Sequence, residues 1–488
     1  MEFVNNVEKQ TEELVVIDET KRRFKHFLFL FSGQQISLLG SSIVSFAIIW
    51  WLTITTQSEL MLGIASLVSL GPYVLVAPFS GMLADKVNRK MLLIIIDASQ
   101  AMLTVTLSIL FLTNNISIAV VFVILGLRGT AQAFQAPVSM SVTPSMVPQK
   151  HLSRINGLSY LFSGLINIVG PVIGAALFAI PGINIGMILW IDIGTFGIAL
   201  IPLLIVKIPP VSKPDQLTGE ISKTSFIAQV SEGFNALKSI KGMIALLFGA
   251  MIINFFFSPL MALLSLFINK THGGLEGDFA LVIGLLQAAI VIGGLFMSFF
   301  KGFKKPVLFL VFSVLFQSLC QIALTFVPTD LSSRFWIIGA ILFAFALPFA
   351  IIDVTFITSI QLMVPKEKLG RVIATIMAIT PAIRPLGQFL SGVIAEFVGI
   401  NAVLIVTAVL GIASLVLIYL TTPLKNLDSE IHKTLLKTKI EKSTNDTIIE
   451  KKEEEDKQFN LVEFGEKIEL DFILKTHDIS EQISEGVK

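Results

Sequence analysis

The stretch GMLADKVNRK, Gly81 to Lys90, sets Asp85, Lys86, Asn88, Arg89 and Lys90 between two long apolar runs. Working outward from it, the chain from 24 to 421 divides into twelve apolar runs separated by short polar breaks: 24–53, 60–83, 91–113, 116–138, 156–180, 184–207, 243–269, 278–300, 307–328, 334–362, 372–398 and 401–421. About 20 consecutive apolar residues cross a bilayer as a helix. Of the 488 residues 54% are hydrophobic and only 15% charged, and the mean hydropathy is +0.81. The sequence therefore predicts an all-α membrane protein with twelve transmembrane helices.

Residues 1–19 are polar and acidic, so the first span reads as a retained anchor and not a cleaved signal. Cys320 is the one cysteine, which excludes an intramolecular disulfide, and a net charge of +1 argues against a nucleic-acid partner. Orientation follows from basic residues in the short loops. Breaks after spans 2, 4, 8 and 10 carry Lys86, Arg89, Lys90, Lys150, Arg154, Lys301, Lys304, Lys305, Lys366, Lys368 and Arg371, whereas the alternate breaks hold Lys270 and Arg334. Both termini are expected on the cytoplasmic side of the cell membrane. A longer polar break after span 6 gives the expected organisation: an N-terminal tail (1–23), a six-helix bundle (24–207), a linker (208–242), a second bundle (243–421) and a charged tail (422–488).

The halves repeat. MVPQKHLSR at Met146 to Arg154 and MVPKEKLGR at Met363 to Arg371 match at five of nine positions, and the loop after span 8 is basic like that after span 2. Duplicated helical bundles with a substrate path between them are a transporter architecture.

Gly81, Leu83, Ala84, Asp85, Lys86, Arg89 and Lys90 resemble the loop 2–3 signature of the major facilitator superfamily. The resemblance implies the major facilitator fold, two six-helix pseudo-repeats, with Gly81, Asp85, Arg89 and Lys90 as a gating loop. Asn88 stands where the family usually has Gly, and is expected to take the positive φ of that turn. LGLRGTAQAFQAP, Leu125 to Pro137, resembles the family's span 4 arginine segment, which is tied to proton coupling in drug antiporters. Arg128 is near mid-membrane, where a charge is functional or paired, and Gln132 and Gln135 share its helix face. A structural arginine satisfied by carbonyls and the two amides is the competing reading. GPVIGA, with Gly170, Pro171 and Gly174, is similar to the antiporter segment of span 5, though Ala175 replaces its last Gly, and close helix packing explains it equally well. GQQISLLGSSIVSFAI in span 1, Asp97 in span 3, the Arg128-then-AF-x-x-P arrangement of span 4, IDIGTFGIA in span 6 and the LGR before span 11 make the chain look most like the macrolide-efflux branch of the superfamily.

Gln34, Ser37, Ser41 and Ser45 form a stripe on span 1 that either lines a substrate cavity with Gln132 and Gln135 or binds helices together. Asp97, Asp192, Asp353 and Arg384 are the other charges well inside spans. Asp353 and Arg384 lie at similar depth and suit an ion pair; Asp97 and Asp192 are candidates for a protonatable carboxylate, with Asp97 alternatively joining the loop 2–3 charges and Asp192 lying toward the outer interface. With Arg128 these make the proton-coupling set. Trp50 and Trp51 read as an interfacial belt. Residues 223–242 read as an amphipathic helix along the membrane surface. The tail, including EKKEEEDK at Glu450 to Lys457, reads as disordered, with a short ordered segment at Val462 to Leu474.

No metal-ligand cluster, phosphate-binding glycine loop or nucleophile–base pattern occurs in the sequence, so neither an enzyme nor an ATP-driven pump is expected, and no cofactor or metal. The expected function is proton-coupled efflux of amphipathic drugs such as macrolides by alternating access. The expected partners are the lipid bilayer, a small amphipathic substrate and protons, with the protein a monomer. Two rivals are an exporter of an endogenous siderophore or lipid-like metabolite, and a transport-inactive membrane sensor acting through its tail.

Overall fold

The computed structural model describes residues 2–208, 226–240, 242–300, 303, 305–364, 366–424, 427–429 and 431–433. Side chains are described at all of these except 2–21, 77–79, 81–86, 136, 140, 141, 144, 149, 150, 153, 226–230, 366, 367, 371 and 374. The tail beyond 433, with the segments at 450–457 and 462–474, lies outside the described residues.

Six helices form the first half: α1 (Glu2–Thr56), α2 (Glu59–Lys86), α3 (Arg89–Leu112), α4 (Ile118–Met146), α5 (Gln149–Phe178) and α6 (Ile185–Ile205). A short helix, α7 (Phe226–Lys238), precedes the second half: α8 (Met243–Leu266), α9 (Glu276–Phe299), α10 (Pro306–Leu324), α11 (Arg334–Met363), α12 (Lys366–Ile379), α13 (Arg384–Val398) and α14 (Ile400–Thr421). Twelve segments are long and apolar enough to span a membrane, in the places read from the sequence. No strand occurs among the described residues, since in lipid a helix satisfies its backbone groups within one segment.

Three features depart from expectation. α1 continues N-terminally to Glu2 as one helix. Span 11 is broken: Thr380 to Ile383 leaves the α-helix through a 3₁₀ turn at Pro381, and Pro385 follows at the start of α13. Each proline removes a backbone donor and crowds the preceding turn, so one continuous helix is not available there. The linker helix α7 packs on α12, and its Leu237 is fully buried, so part of the face expected against lipid is covered by protein.

In the first half α1 packs on α5 and α6, α2 on α4, and α3 on α4 and α6. In the second, α9 packs on α11, α10 on α11 and α14, and α8 on α13 and α14. The halves meet where α2 crosses α13 and α5 crosses α9. Glycine sets these distances. A Cβ on Gly392 would lie 2.5 Å from the Glu59 carbonyl oxygen and 2.8 Å from the Gly63 Cα, so the α2–α13 crossing exists only with no side chain there. The repeated MVP segments adopt one geometry: α4 and α11 both end in Met, followed by extended Val147 (φ −102°, ψ 125°) and Val364 (φ −97°, ψ 129°).

Candidate functional site

The buried face of α3 carries Asp97, Gln100 and Thr104 at helical spacing and turns them toward α1, α4 and α6. There Arg128 and Asp192 form an ion pair, Nη1 to Oδ2 at 3.0 Å, with Asp192 0% and Arg128 9% exposed. Ser41 donates to Asp192 Oδ1 at 3.0 Å, the Thr104 hydroxyl lies 3.0 Å from Oδ2, and Arg128 also donates to Thr104. A single charge at this depth costs roughly 3 kcal/mol, and leaving one partner of a buried pair alone costs about as much. The pair, with two hydroxyls on the carboxylate, is how this chain accommodates both charges.

A chain of amides leads away from this cluster. Gln100 Nε2 donates to Gln135 Oε1 (3.2 Å), Gln135 Nε2 to Gln34 Oε1 (3.4 Å), and Gln34 Nε2 to Asp97 Oδ2 (2.9 Å). Asp97 is fully buried, and its Oδ1 has no hydrogen-bond partner among the described residues. Arg128 is therefore held by Asp192 and Thr104, not by the neighbouring amides, and Asp192 is an interior residue, not one at the outer interface.

Among the described residues are three adjoining chambers of about 680, 770 and 630 Å³: the first lies between the halves and the second is lined by first-half residues. Arg128, Gln132, Gln135, Ser41 and Ser45 line the first, where Met261 and Gln388 of the second half complete the wall. Gln34 lines the second chamber, which shares Gln132 and Gln135 with the first. Asp97 and Asp192 are behind the wall. So is Ser37, 1% exposed, which corrects its expected place in the cavity and leaves it as a packing residue.

The third chamber is bounded mainly by the second half, with Tyr160 of α5 reaching in. Asp353 and Arg384 both line it. They do not form the expected ion pair. Arg384 Nε donates instead to Asn254 Oδ1 at 2.5 Å, because the break at Thr380 to Ile383 carries Arg384 to the start of α13, facing α8.

At the loop 2–3 turn, Asn88 does not take a positive φ. It is extended (φ −60°, ψ 113°) and caps α3, its side-chain oxygen accepting from Lys90 N at 3.0 Å and Met91 N at 3.3 Å. Lys90 Nζ donates to the Leu204 and Val206 carbonyls at 2.8 and 2.9 Å, satisfying the exposed end of α6 with a positive charge where the helix dipole favours one. Arg89 opens α3. Gly81 and Asp85 are in α2, and their side-chain surroundings lie outside the described residues. In the span 5 segment, a Cβ on Gly170 would collide with the Ser42 side chain and one on Gly174 would meet the Phe46 ring at 2.7 Å; Pro171 is inside α5. These glycines let α5 lie against α1.

A second polar cluster, not picked out from the sequence, ties the halves together at the end that holds the α1–α2 turn. Lys270 bonds both carboxylate oxygens of Glu59 at 2.9 and 3.0 Å and the Gln57 carbonyl at 3.1 Å. Gln57 Nε2 donates to Asn269 Oδ1 at 2.6 Å, and the Thr53 and Ser265 hydroxyls meet at 2.8 Å. Glu396 of α13 accepts from Ser58 Oγ (3.0 Å) and Leu60 N (3.2 Å) at the first turn of α2. Trp50 belongs to this seam: it is 1% exposed and stacks on Phe279 of α9 at 5.6 Å, so it is core and not an interfacial anchor. Trp51 packs edge-on against Phe111. The signal that could have found the cluster was the isolation of Lys270 in an otherwise base-poor set of loops.

Twelve spans in two halves, enclosing chambers with a polar wall and closed by a polar seam at one end, define a membrane transporter. The Major Facilitator Superfamily model matches residues 30–380, and the chain belongs to that family. Macrolide efflux protein A of Streptococcus pyogenes is 28% identical over 380 residues, covering 77% of this chain and 90% of that protein. The Enterobactin exporter EntS of Shigella boydii serotype 18 is 25% identical over 360 residues, 71% of this chain and 79% of its own. Among solved structures, a bacterial homologue of the human lysosomal transporter Spinster aligns with a TM-score of 0.59 at 15% identity, over 85% of this chain and 98% of that one. The relatives and structural neighbours are transporters, not enzymes.

Proposed function

We propose that the protein is a monomeric, proton-coupled exporter that moves amphipathic drugs such as macrolides out of the cytoplasm, its two halves rocking about the central chambers. The basic loops face the cytoplasm of the cell membrane, as do both termini, so the seam around Lys270 is the outer gate, and that gate is closed. The observation that carries the coupling is the Arg128–Asp192 pair, with Arg128 in the cavity wall and Asp192 behind it. Protonating the carboxylate cancels its attraction for Arg128 and frees the guanidinium toward the chamber, a local charge change that biases a two-state bundle. Asp97, at the far end of the amide chain, is the second carboxylate of this set. Gly81, Asp85, Arg89 and Lys90 form the inner gate, and Lys90, on the end of α6, anchors it.

The macrolide reading draws on the similarity to macrolide efflux protein A. Accumulation of a labelled macrolide in cells making the protein, with and without a protonophore, tests it. The expected result is reduced accumulation that the protonophore reverses. Unchanged accumulation, with the protein present in the membrane, would sink the drug reading and favour an exporter of a siderophore-like metabolite, which the relative named as an enterobactin exporter supports.

A further inference from the structure

The third chamber contains an acid and a base that the rest of the molecule leaves open. Asp353 is ten residues from the end of α11, about 15 Å into the span at 1.5 Å per residue, yet it is exposed because it faces a cavity of about 630 Å³. Among the described residues its carboxylate makes no hydrogen bond and no ion pair. The surrounding wall is largely apolar: Leu246, Ile253, Phe349, Ile352 and Phe356. The natural neutralising partner, Arg384, is held off by Asn254, whose Oδ1 takes its Nε while Asn254 Nδ2 is itself fixed on the Ala250 carbonyl at 2.8 Å. The guanidinium has five N–H donors, and only the Nε–H is engaged among the described residues. The unwound turn at Thr380 and Pro381 borders the same chamber, and backbone that leaves the helix at this depth is tolerated where it lines a cavity.

The contrast with the first half is informative. Arg128 and Asp192 satisfy each other and are buried, so they offer a ligand little. Asp353 and Arg384 are close enough to share a chamber, too far apart to pair, and set in apolar surroundings where an unmet charge is expensive.

Resting on the exporter reading above, we infer that this chamber is the substrate-recognition site, and that it takes an amphipathic molecule bearing a basic amine. The ammonium binds Asp353, a carbonyl or hydroxyl oxygen of the same molecule accepts from the free N–H groups of Arg384, and its apolar body lies against Phe349 and Phe356. A cavity of this size suits a drug-sized molecule. Arg384 thus acts as a donor fixed in place, and Asn254 as the residue that keeps it from closing on Asp353.

Equilibrium binding to the purified full-length protein tests this with two matched pairs of labelled probes: a macrolide with a free tertiary amine against its neutral derivative lacking a basic nitrogen, and a simple lipophilic amine against its N-acetyl form. Wild type should prefer each amine by roughly tenfold or more, the usual reward for a charge-assisted contact. Asp353→Asn should abolish that preference while Asp353→Glu keeps it, both unfolding at the wild-type temperature. Asn254→Ala, which releases Arg384 toward Asp353, should weaken amine binding by a larger factor than it weakens binding of the neutral probes. An amine preference that survives Asp353→Asn, or its absence in wild type for both pairs, overturns the inference. If only the lipophilic amine binds, with a preference that depends on Asp353, the inference stands and the macrolide reading falls.

Discussion

Arg128 and Asp192 illustrate how two charges inside a membrane can be structural and functional at once, and the two roles separate experimentally. Arg128→Met leaves Asp192 buried beside Ser41 and Thr104 with no countercharge and should destabilise the protein by about 3 kcal/mol. Adding Asp192→Leu should recover most of that loss, because two apolar side chains replace the pair. Neither variant should export against a proton gradient, read in vesicles alongside thermal unfolding. A double variant that exports normally would reduce the pair to packing. The partner was not legible in the sequence: Arg128 and Asp192 are 64 positions apart, and only the packing of α3 between α4 and α6 brings them together. Asn88 was misread for a related reason. The side chain that tolerates a positive φ is also a good helix cap, and the following amides decided between the two.

At the level of helices, the spans were legible in number and place, with most ends within a few residues, because the bilayer demands about 20 apolar residues wherever a helix crosses. The break in span 11 was harder to read, since its two prolines are embedded in an otherwise continuous apolar run. Trp50 was misplaced because a Trp at the end of a span looks alike in sequence whether it meets headgroups or the other half of the molecule. The α2–α13 crossing makes a sharper prediction. Gly392→Ala should help an isolated helix by about 1 kcal/mol. Here its Cβ would press on the Glu59 carbonyl at 2.5 Å and should force the helices apart. With Cys320, the one native cysteine, replaced by Ser, a cysteine at Thr53 reports the result. Maleimide labelling from the α1–α2 side should speed up in Gly392→Ala, whereas an unchanged rate would show that the crossing does not govern closure.

Across the whole molecule the seam and the chambers divide the labour. The bonds of Lys270, Gln57, Thr53 and Glu396 hold the halves together at one end, and the chambers separate them below. Two bundles about a central path were readable from the duplicated MVP segments. The seam was not, because it is made of single polar residues from helix ends and the turns that follow them, with no motif among them. The pair is open to solvent on its Lys270 side, where such a contact contributes about 1 kcal/mol, so Lys270→Ala should raise the open-to-closed ratio at that end about fivefold. Spin labels at the ends of α1 and α8 would read this as a longer-distance population, and an unaltered distribution would show that Glu59 and Lys270 are incidental neighbours. The same geometry carries a consequence for the surrounding medium. Lys270 keeps 45% of its side chain in solvent, while Asp192 keeps none. Dissolved ions reach the first pair and not the second, and screening acts over about 8 Å at physiological ionic strength. On the orientation proposed above, salinity outside the cell is thus an input to this transporter: brine would loosen its outer door and leave its inner charges untouched.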